Sequence, residues 1–217
     1  MTLVAVAGNI GSGKSSLTAG LSRRFGWRAC YEIVDDNPYL SDFYADMPRW
    51  AFHLQVFFLS KRFQHHQQLV QSGEPVVQDR TIYEDAEIFA KNLFDRGAMS
   101  ARDYANYREL FDTMTPFLRP PDLLVFLEAP VPVLQERIAR RGRSFEQAIP
   151  ADYLAALNAL YADWVSRWDK SPLLVVPSAP LDFAHDEEAL EKVARRVREA
   201  LLDPASDRAA GSTREET

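Results

Sequence analysis

Five short apolar runs, separated by longer stretches with helical spacing, restrict the fold of this chain more than any other feature. TLVAVAG (2 to 8), WRACYE (27 to 32), PVVQD (75 to 79), DLLVFLEA (122 to 129) and PLLVVP (172 to 177) read as buried strands. The segments at 14 to 25, 49 to 72, 82 to 95, 100 to 117, 131 to 141 and 151 to 169 carry helical periodicity, and 186 to 202 adds one more. This rhythm predicts an α/β fold with a central five-stranded parallel sheet covered by helices on both faces. Ligands of such sheets bind beyond the carboxyl ends of the strands. The places to look are therefore just after Gly8, Glu32, Asp79 and Glu128.

A chain of 217 residues that is 47% hydrophobic and 26% charged can bury a sizeable core, and residues 1 to 202 read as one domain. The stretch from Asp203 to Thr217 is small, polar and without apolar period, so it is expected to be disordered. A net charge of -6 without a basic stripe argues against polymeric nucleic acid as a partner. The lone cysteine, Cys30, reads as a small buried hydrophobe, which fits a reducing cytoplasm. No charged leader and no apolar run near the roughly 18 residues of a membrane span is present, so neither signal peptide nor membrane anchor is expected.

The strongest local motif is Gly8-Asn9-Ile10-Gly11-Ser12-Gly13-Lys14-Ser15, followed by Ser16. It matches G-x-x-x-x-G-K-[ST] at every position and lies between a strand and a helix, the context that a phosphate-binding loop requires. Backbone N–H groups of the turn and helix N-terminus can face phosphates, Lys14 adds a point charge, and the Ser15 hydroxyl can hold Mg²⁺. Such a loop fixes a triphosphate without fixing its use. GTPase switches need a D-x-x-G and an N/T-K-x-D, and neither string occurs. A phosphotransferase is the better reading.

Glu32 closes the second strand, and Asp79-Arg80 closes the third. A phosphoryl acceptor must lose a proton as it attacks, so a carboxylate at Glu32 is a candidate general base. Arg80 can orient the attacking oxygen or neutralise developing charge, and Asp79 can help position Mg²⁺ through water. Glu32 with Asp35 and Asp36 nearby would repel a nucleoside monophosphate, whereas a neutral sugar hydroxyl meets no such objection. Asp35, Asp36 and Asn37 also suit a capping role before Pro38.

Within RWAFHLQVFFLSKRFQHHQQLV, Gln55 and Arg62 stand two turns apart on one helix face. Within RTIYEDAEIFAKNLF, Asp85 and Phe89 are four apart and again share a face. An amide, a guanidinium, a carboxylate and an aromatic ring could read and stack on a flat heterocycle. The same residues could instead form an Arg62–Asp85 ion pair inside the core, with Phe89 as filler. In ERIARRGR, Arg137 and Arg141 are one turn apart and Arg143 follows Gly142, as in a lid, about 137 to 149, that closes over phosphates. A solvated helix end complementing its dipole is the plainer alternative.

GNIGSGKSSL, YEIVDDNPYLSDFY, RWAFHLQVFFLSKRF, VQDRTIYEDAEIFAK and ERIARRGRSFE, spread in order over residues 1 to 177, together resemble the deoxyribonucleoside kinase family, in particular its bacterial deoxyadenosine/deoxycytidine type. The resemblance implies transfer of the γ-phosphoryl group of ATP, with Mg²⁺, to the 5'-hydroxyl of a deoxynucleoside. It implies Glu32 as the base, Arg80 holding the same oxygen, and Tyr44 and Glu146 on the 3'-hydroxyl. Gln55, Arg62 and Asp85 would read the base with Phe89 stacked on it, and Arg137, Arg141 and Arg143 would belong to the lid. Many members continue the strand-end glutamate as Glu-Pro-Val, where this chain has Glu32-Ile33-Val34.

A glutamine pairs with adenine and a carboxylate accepts from an amino group such as that of cytosine, so amino bases are favoured over thymine. Guanine stays open, because arginine can serve its acceptors. A thymidylate-type monophosphate kinase and a non-catalytic nucleotide sensor are the rival readings. Relatives of this type are often homodimers, and the long apolar helix from Arg49 to Ser72 could supply the contact.

Overall fold

The computed structural model describes residues 1–31, 37–143 and 149–203. Five strands, β1 (Leu3–Gly8), β2 (Arg28–Cys30), β3 (Val76–Asp79), β4 (Leu123–Glu128) and β5 (Leu173–Pro177), form one parallel sheet in the order β2-β3-β1-β4-β5. The most thoroughly apolar strand, β1, is buried at every position and takes the centre. Its register pairs Val6 with Asp79 and Gly8 with Leu127, so the phosphate loop and the end of β3 leave the same edge of the sheet.

Alternation along β1 divides the core. Val4 and Val6 pack with Leu17 and Leu21 of α1 (Lys14–Phe25) and with Leu190, Val193 and Val197 of α9 (Glu187–Leu202). Ala5 and Ala7 face the other side, where their small side chains admit bulky partners from α3 (Met47–Ser72), α6 (Ala101–Met114) and α8 (Ala151–Ser166). There the ring of Tyr161 stacks on Phe126 with centroids 5.7 Å apart. Each fully buried leucine or aromatic contributes about 1.5–3 kcal/mol against exposure.

The observed elements depart from the sequence pattern in identifiable ways. A short helix α2 (Leu40–Ala45) precedes α3, and Asp46 caps α3 by accepting from Arg49 N at 3.2 Å, so α3 starts at Met47 rather than Arg49. The expected helix 82 to 95 divides into α4 (Ile82–Glu84), a π-helical stretch (Asp85–Ala90) and α5 (Lys91–Asp95). α6 ends in a 3₁₀ turn (Thr115–Phe117) containing Pro116, which cannot donate to the preceding turn. α8 stops at Ser166, three residues before 169, where Arg167 leaves helical geometry. β2 is three residues long, an edge strand paired with β3 alone. The proposed tail beyond Asp203 lies outside the described residues. α7 (Val131–Arg141) follows β4 as the spacing predicts.

Candidate active site

The phosphate loop has the backbone that its glycines permit. Gly8 sits at φ +148, where a Cβ would lie 2.7 Å from Ser12 Oγ and 2.8 Å from the Leu127 carbonyl oxygen. Gly13, at φ 100, is the N-cap of α1. Lys14 Nζ donates to the carbonyls of Gly8 at 2.9 Å and Asn9 at 3.0 Å, which curls the cation over the loop. Asn9, identified from sequence only as part of the motif, also anchors the loop. Its Nδ2 donates to the Leu154 carbonyl at 2.9 Å and to Asn158 Oδ1 at 2.7 Å, tying the loop to α8. Ile10 and Gly11 line the cavity described below, Ser12 is buried, and Ser16 lies in the first turn of α1.

Ser15 and Asp79 meet, with Ser15 Oγ donating to Asp79 Oδ2 at 2.6 Å. Asp79 Oδ1 is buried with no hydrogen-bond partner among the described residues. The next residue, Arg80, has φ 69 and is the only non-glycine at positive φ among the described residues. Such a conformation costs about 1–3 kcal/mol and persists where the surroundings impose it. Here the Arg80 N–H is held by the Val6 carbonyl at 2.9 Å and its guanidinium lies 4.2 Å above the Phe89 ring. The strained turn directs Arg80 across the sheet edge instead of along it.

A cavity of about 390 Å³ opens in front of these groups. Lys14 and Ser15 line one end, and Gln55, Arg62, Asp85 and Phe89 line the other, with Asp79 and Arg80 also in its wall. Arg62 Nε lies 2.5 Å from Asp85 Oδ2, and both side chains are under a tenth exposed. The ion pair of the second alternative is therefore present, and the same two residues line the cavity. The guanidinium also lies 5.5 Å from the Phe58 ring. Gln55 Oε1 is buried and has no hydrogen-bond partner among the described residues. Asp85 and Phe89 sit in the π-helical stretch, whose widened turn presents both to the cavity. Tyr107 packs nearby, and burial, followed by the charge of Asp85, pushes its phenol well above the usual range.

Tyr44 is half-exposed at the mouth, and Arg141 and Arg143 line the wall. Arg137 is placed elsewhere: its guanidinium donates to the carbonyls of Ser12 at 3.1 Å, Ser178 at 2.6 Å and Leu181 at 2.8 Å, joining the phosphate loop to the segment after β5. Burial lowers its pKa, with Arg140 adding to the effect. Glu32, Asp35, Asp36 and Glu146 lie outside the described residues. Cys30 is buried against His65, with Sγ 3.3 Å from Nε2, and burial pushes its thiol up to about 12, so it stays a neutral packing group.

Sequence reading missed Tyr153, whose ring lines the cavity from α8 and whose phenol is raised by burial. It also missed Glu84. Its signal was present as the pattern T-x-x-E in Thr81 to Glu84, a capping box that forms as the pattern predicts. The pattern gave no hint of the long-range contacts that Glu84 also makes.

A parallel sheet in this strand order, with a G-x-x-x-x-G-K-S loop leaving its central strand toward an acid–arginine pair on the neighbouring one, defines a P-loop phosphotransferase. The family model for deoxynucleoside kinase matches residues 4–202, and the chain belongs to the deoxynucleoside kinase family. Over 93% of this chain it is 39% identical to the deoxyadenosine/deoxycytidine kinase of Bacillus subtilis, 94% of which is covered. It is 38% identical to a deoxyguanosine kinase of Lactobacillus acidophilus, with 94% of this chain and 92% of that protein covered. Among solved structures, deoxyadenosine kinase from M. mycoides with bound dATP superposes with a TM-score of 0.80 at 27% identity, covering 91% of this chain and all of that one. No helix among the described residues is long and apolar enough to cross a membrane.

Proposed function

We propose that this kinase transfers the γ-phosphoryl group of ATP to the 5'-hydroxyl of deoxyadenosine and deoxycytidine. The observation that carries the reading is the single cavity with a phosphate loop at one end and a buried amide, guanidinium and carboxylate around an aromatic ring at the other. Lys14 and the loop amides hold the β and γ phosphates, and Arg141 and Arg143 approach them from α7 and the residues after it. The 5'-oxygen bonds to the γ phosphorus as the bridge to the β phosphate breaks, and ADP leaves. Glu32 accepts the hydroxyl proton, and Arg80 orients the attacking oxygen. Tyr44 and Glu146 hold the 3'-hydroxyl.

The donor set suits Mg²⁺, a hard cation that takes one or two carboxylates plus phosphate oxygens. Ser15 and Asp79 would hold it, and the buried Asp79 Oδ1 supplies an acceptor for a bound water. The ion would neutralise charge between the β and γ phosphates.

Gln55 Oε1 is an acceptor without a partner among the described residues, which fits the exocyclic amino group of adenine or cytosine. Relatives named for deoxyadenosine, deoxycytidine and deoxyguanosine all match this chain, so a guanine preference is the second reading. Consumption of ATP fits a cytoplasmic location, and the half-buried Phe52, Val56 and Phe63 of α3 are the face we assign to a homodimer, which light scattering on the purified protein would test.

ADP release measured with deoxyadenosine, deoxycytidine, deoxyguanosine, thymidine and their monophosphates decides among these readings. Turnover only with a monophosphate overturns the proposal, and nucleoside binding without ADP formation favours a sensor. Glu32→Gln is expected to lower kcat by about 10²–10⁴-fold with nucleoside binding retained. Unchanged kcat removes Glu32 from the role of base.

A further inference from the structure

Glu84 is more enclosed than any other charged side chain among the described residues, at 0% exposure, and neither phosphate binding nor base reading uses it. Its two oxygens meet four donors. Oε1 accepts from the Gly8 N–H at 3.3 Å and the Tyr161 hydroxyl at 2.8 Å. Oε2 accepts from the Thr81 N–H at 2.7 Å and the Thr81 hydroxyl at 3.2 Å. These donors belong to separate parts of the molecule. Gly8 opens the phosphate cradle, Thr81 directly follows the strained Arg80, and Tyr161 comes from α8.

A helix cap alone needs only the Thr81 contacts, and these could be made on the surface. The reach to Gly8 and Tyr161 does something more. Gly8 ends β1 in register with Leu127 of β4, and Arg80 is held on the neighbouring strand by Val6. One carboxylate therefore fixes the separation between the donor's phosphate cradle and the arginine on the acceptor oxygen. We propose that Glu84 is a positioning residue for phosphoryl transfer, setting that separation across the edge of the sheet. This rests on the reading of the chain as a deoxynucleoside kinase, and it matters because a misplacement of about 1 Å can cost about 100-fold in rate.

Glutamine at this position keeps the shape but offers one acceptor oxygen where the carboxylate offers two. The hydroxyls of Thr81 and Tyr161 can rotate to accept, but the N–H groups of Gly8 and Thr81 cannot. One of them must then face an NH₂ group, and the clamp opens on one side. Glu84→Gln is expected to lower kcat about 10–100-fold while the KM for nucleoside and for ATP each stays within about threefold. Amide exchange at Gly8 or Thr81 should quicken. Tyr161→Phe, which removes one donor from Oε1, should move both readouts the same way by less, and it carries the test should Glu84→Gln fail to fold. Val193→Ala, in the opposite apolar layer, serves as a control that lowers Tm but leaves kcat per folded molecule unchanged.

The proposal is overturned if folded Glu84→Gln keeps kcat within about twofold of the parent, or if its loss of rate follows its loss of Tm as in Val193→Ala. Should the parent protein release no ADP with any deoxynucleoside, the kinase reading fails by itself. The exchange measurement then still decides the clamp: faster exchange supports it, and unchanged exchange at Gly8 and Thr81 removes it.

Discussion

The two ends of the cavity are built on different principles. At the phosphate end, the ligating groups are consecutive in sequence, Gly8 to Ser16, and most of the chemistry is backbone. At the base end, Gln55 and Arg62 come from one helix and Asp85 and Phe89 from a π-helical turn of another segment, and the chemistry is a buried ion pair beside an aromatic ring. The first tolerates any triphosphate because amides recognise charge without reading a base. The second can discriminate because its polar groups are desolvated and leaving one unpaired is costly. On the proposed function, one cavity separates affinity for the common substrate from selection of the variable one.

The largest effect that would sharpen this contrast is expected at the base end. Asp85→Ala leaves the Arg62 charge buried without the carboxylate and should cost about 3–5 kcal/mol of stability. That corresponds to a fall in Tm of roughly 6–20 °C for a chain of this size, read by calorimetry. Arg62→Met combined with Asp85→Leu should recover most of that stability while nucleoside binding stays lost. Recovery of binding in the double variant would break the comparison, since the pair would then be structural.

At the phosphate end, Lys14→Ala should reduce kcat by on the order of 10²–10³-fold for every accepted nucleoside alike, with Tm little changed. A loss that differs between bases would mean that the ends are not independent. Gly8→Ala forces a side chain onto the Leu127 carbonyl at positive φ, and a cost of about 1–3 kcal/mol in urea titration is expected. The smallest effect lies on α3 beyond Arg62. His66 Nε2 donates to the Arg119 carbonyl at 2.8 Å, and its pKa is lowered chiefly by burial. The unfolded chain then binds more protons than the folded one just below pH about 6.5, so stability is full above that value and declines as pH falls. His66→Gln should flatten the slope of Tm against pH in that window.

Much of this arrangement could be read from residues alone, and the reasons differ by element. β1, β3, β4 and β5 are legible because buried parallel strands are unbroken apolar runs, and the phosphate loop because its function is local. The face shared by Gln55 and Arg62 follows from helical spacing. The π-helical turn does not, because it results from packing and leaves no period of its own; neither does α2, which is too short to show one. Arg137 illustrates the limit from the other side. Its spacing suits a lid, yet its partners, Ser12, Ser178 and Leu181, are remote in sequence.

By itself the sequence determined the class of fold, the phosphate loop and the residue types available to each role, since these depend on neighbours along the chain. Only the tertiary structure decided that Arg62 and Asp85 both pair and face the cavity, that Arg80 is strained over Phe89, and that Glu84 spans from a helix cap to the phosphate loop. The physical reason is that such contacts join residues up to 77 positions apart, and their geometry is set by how two apolar layers close on one sheet.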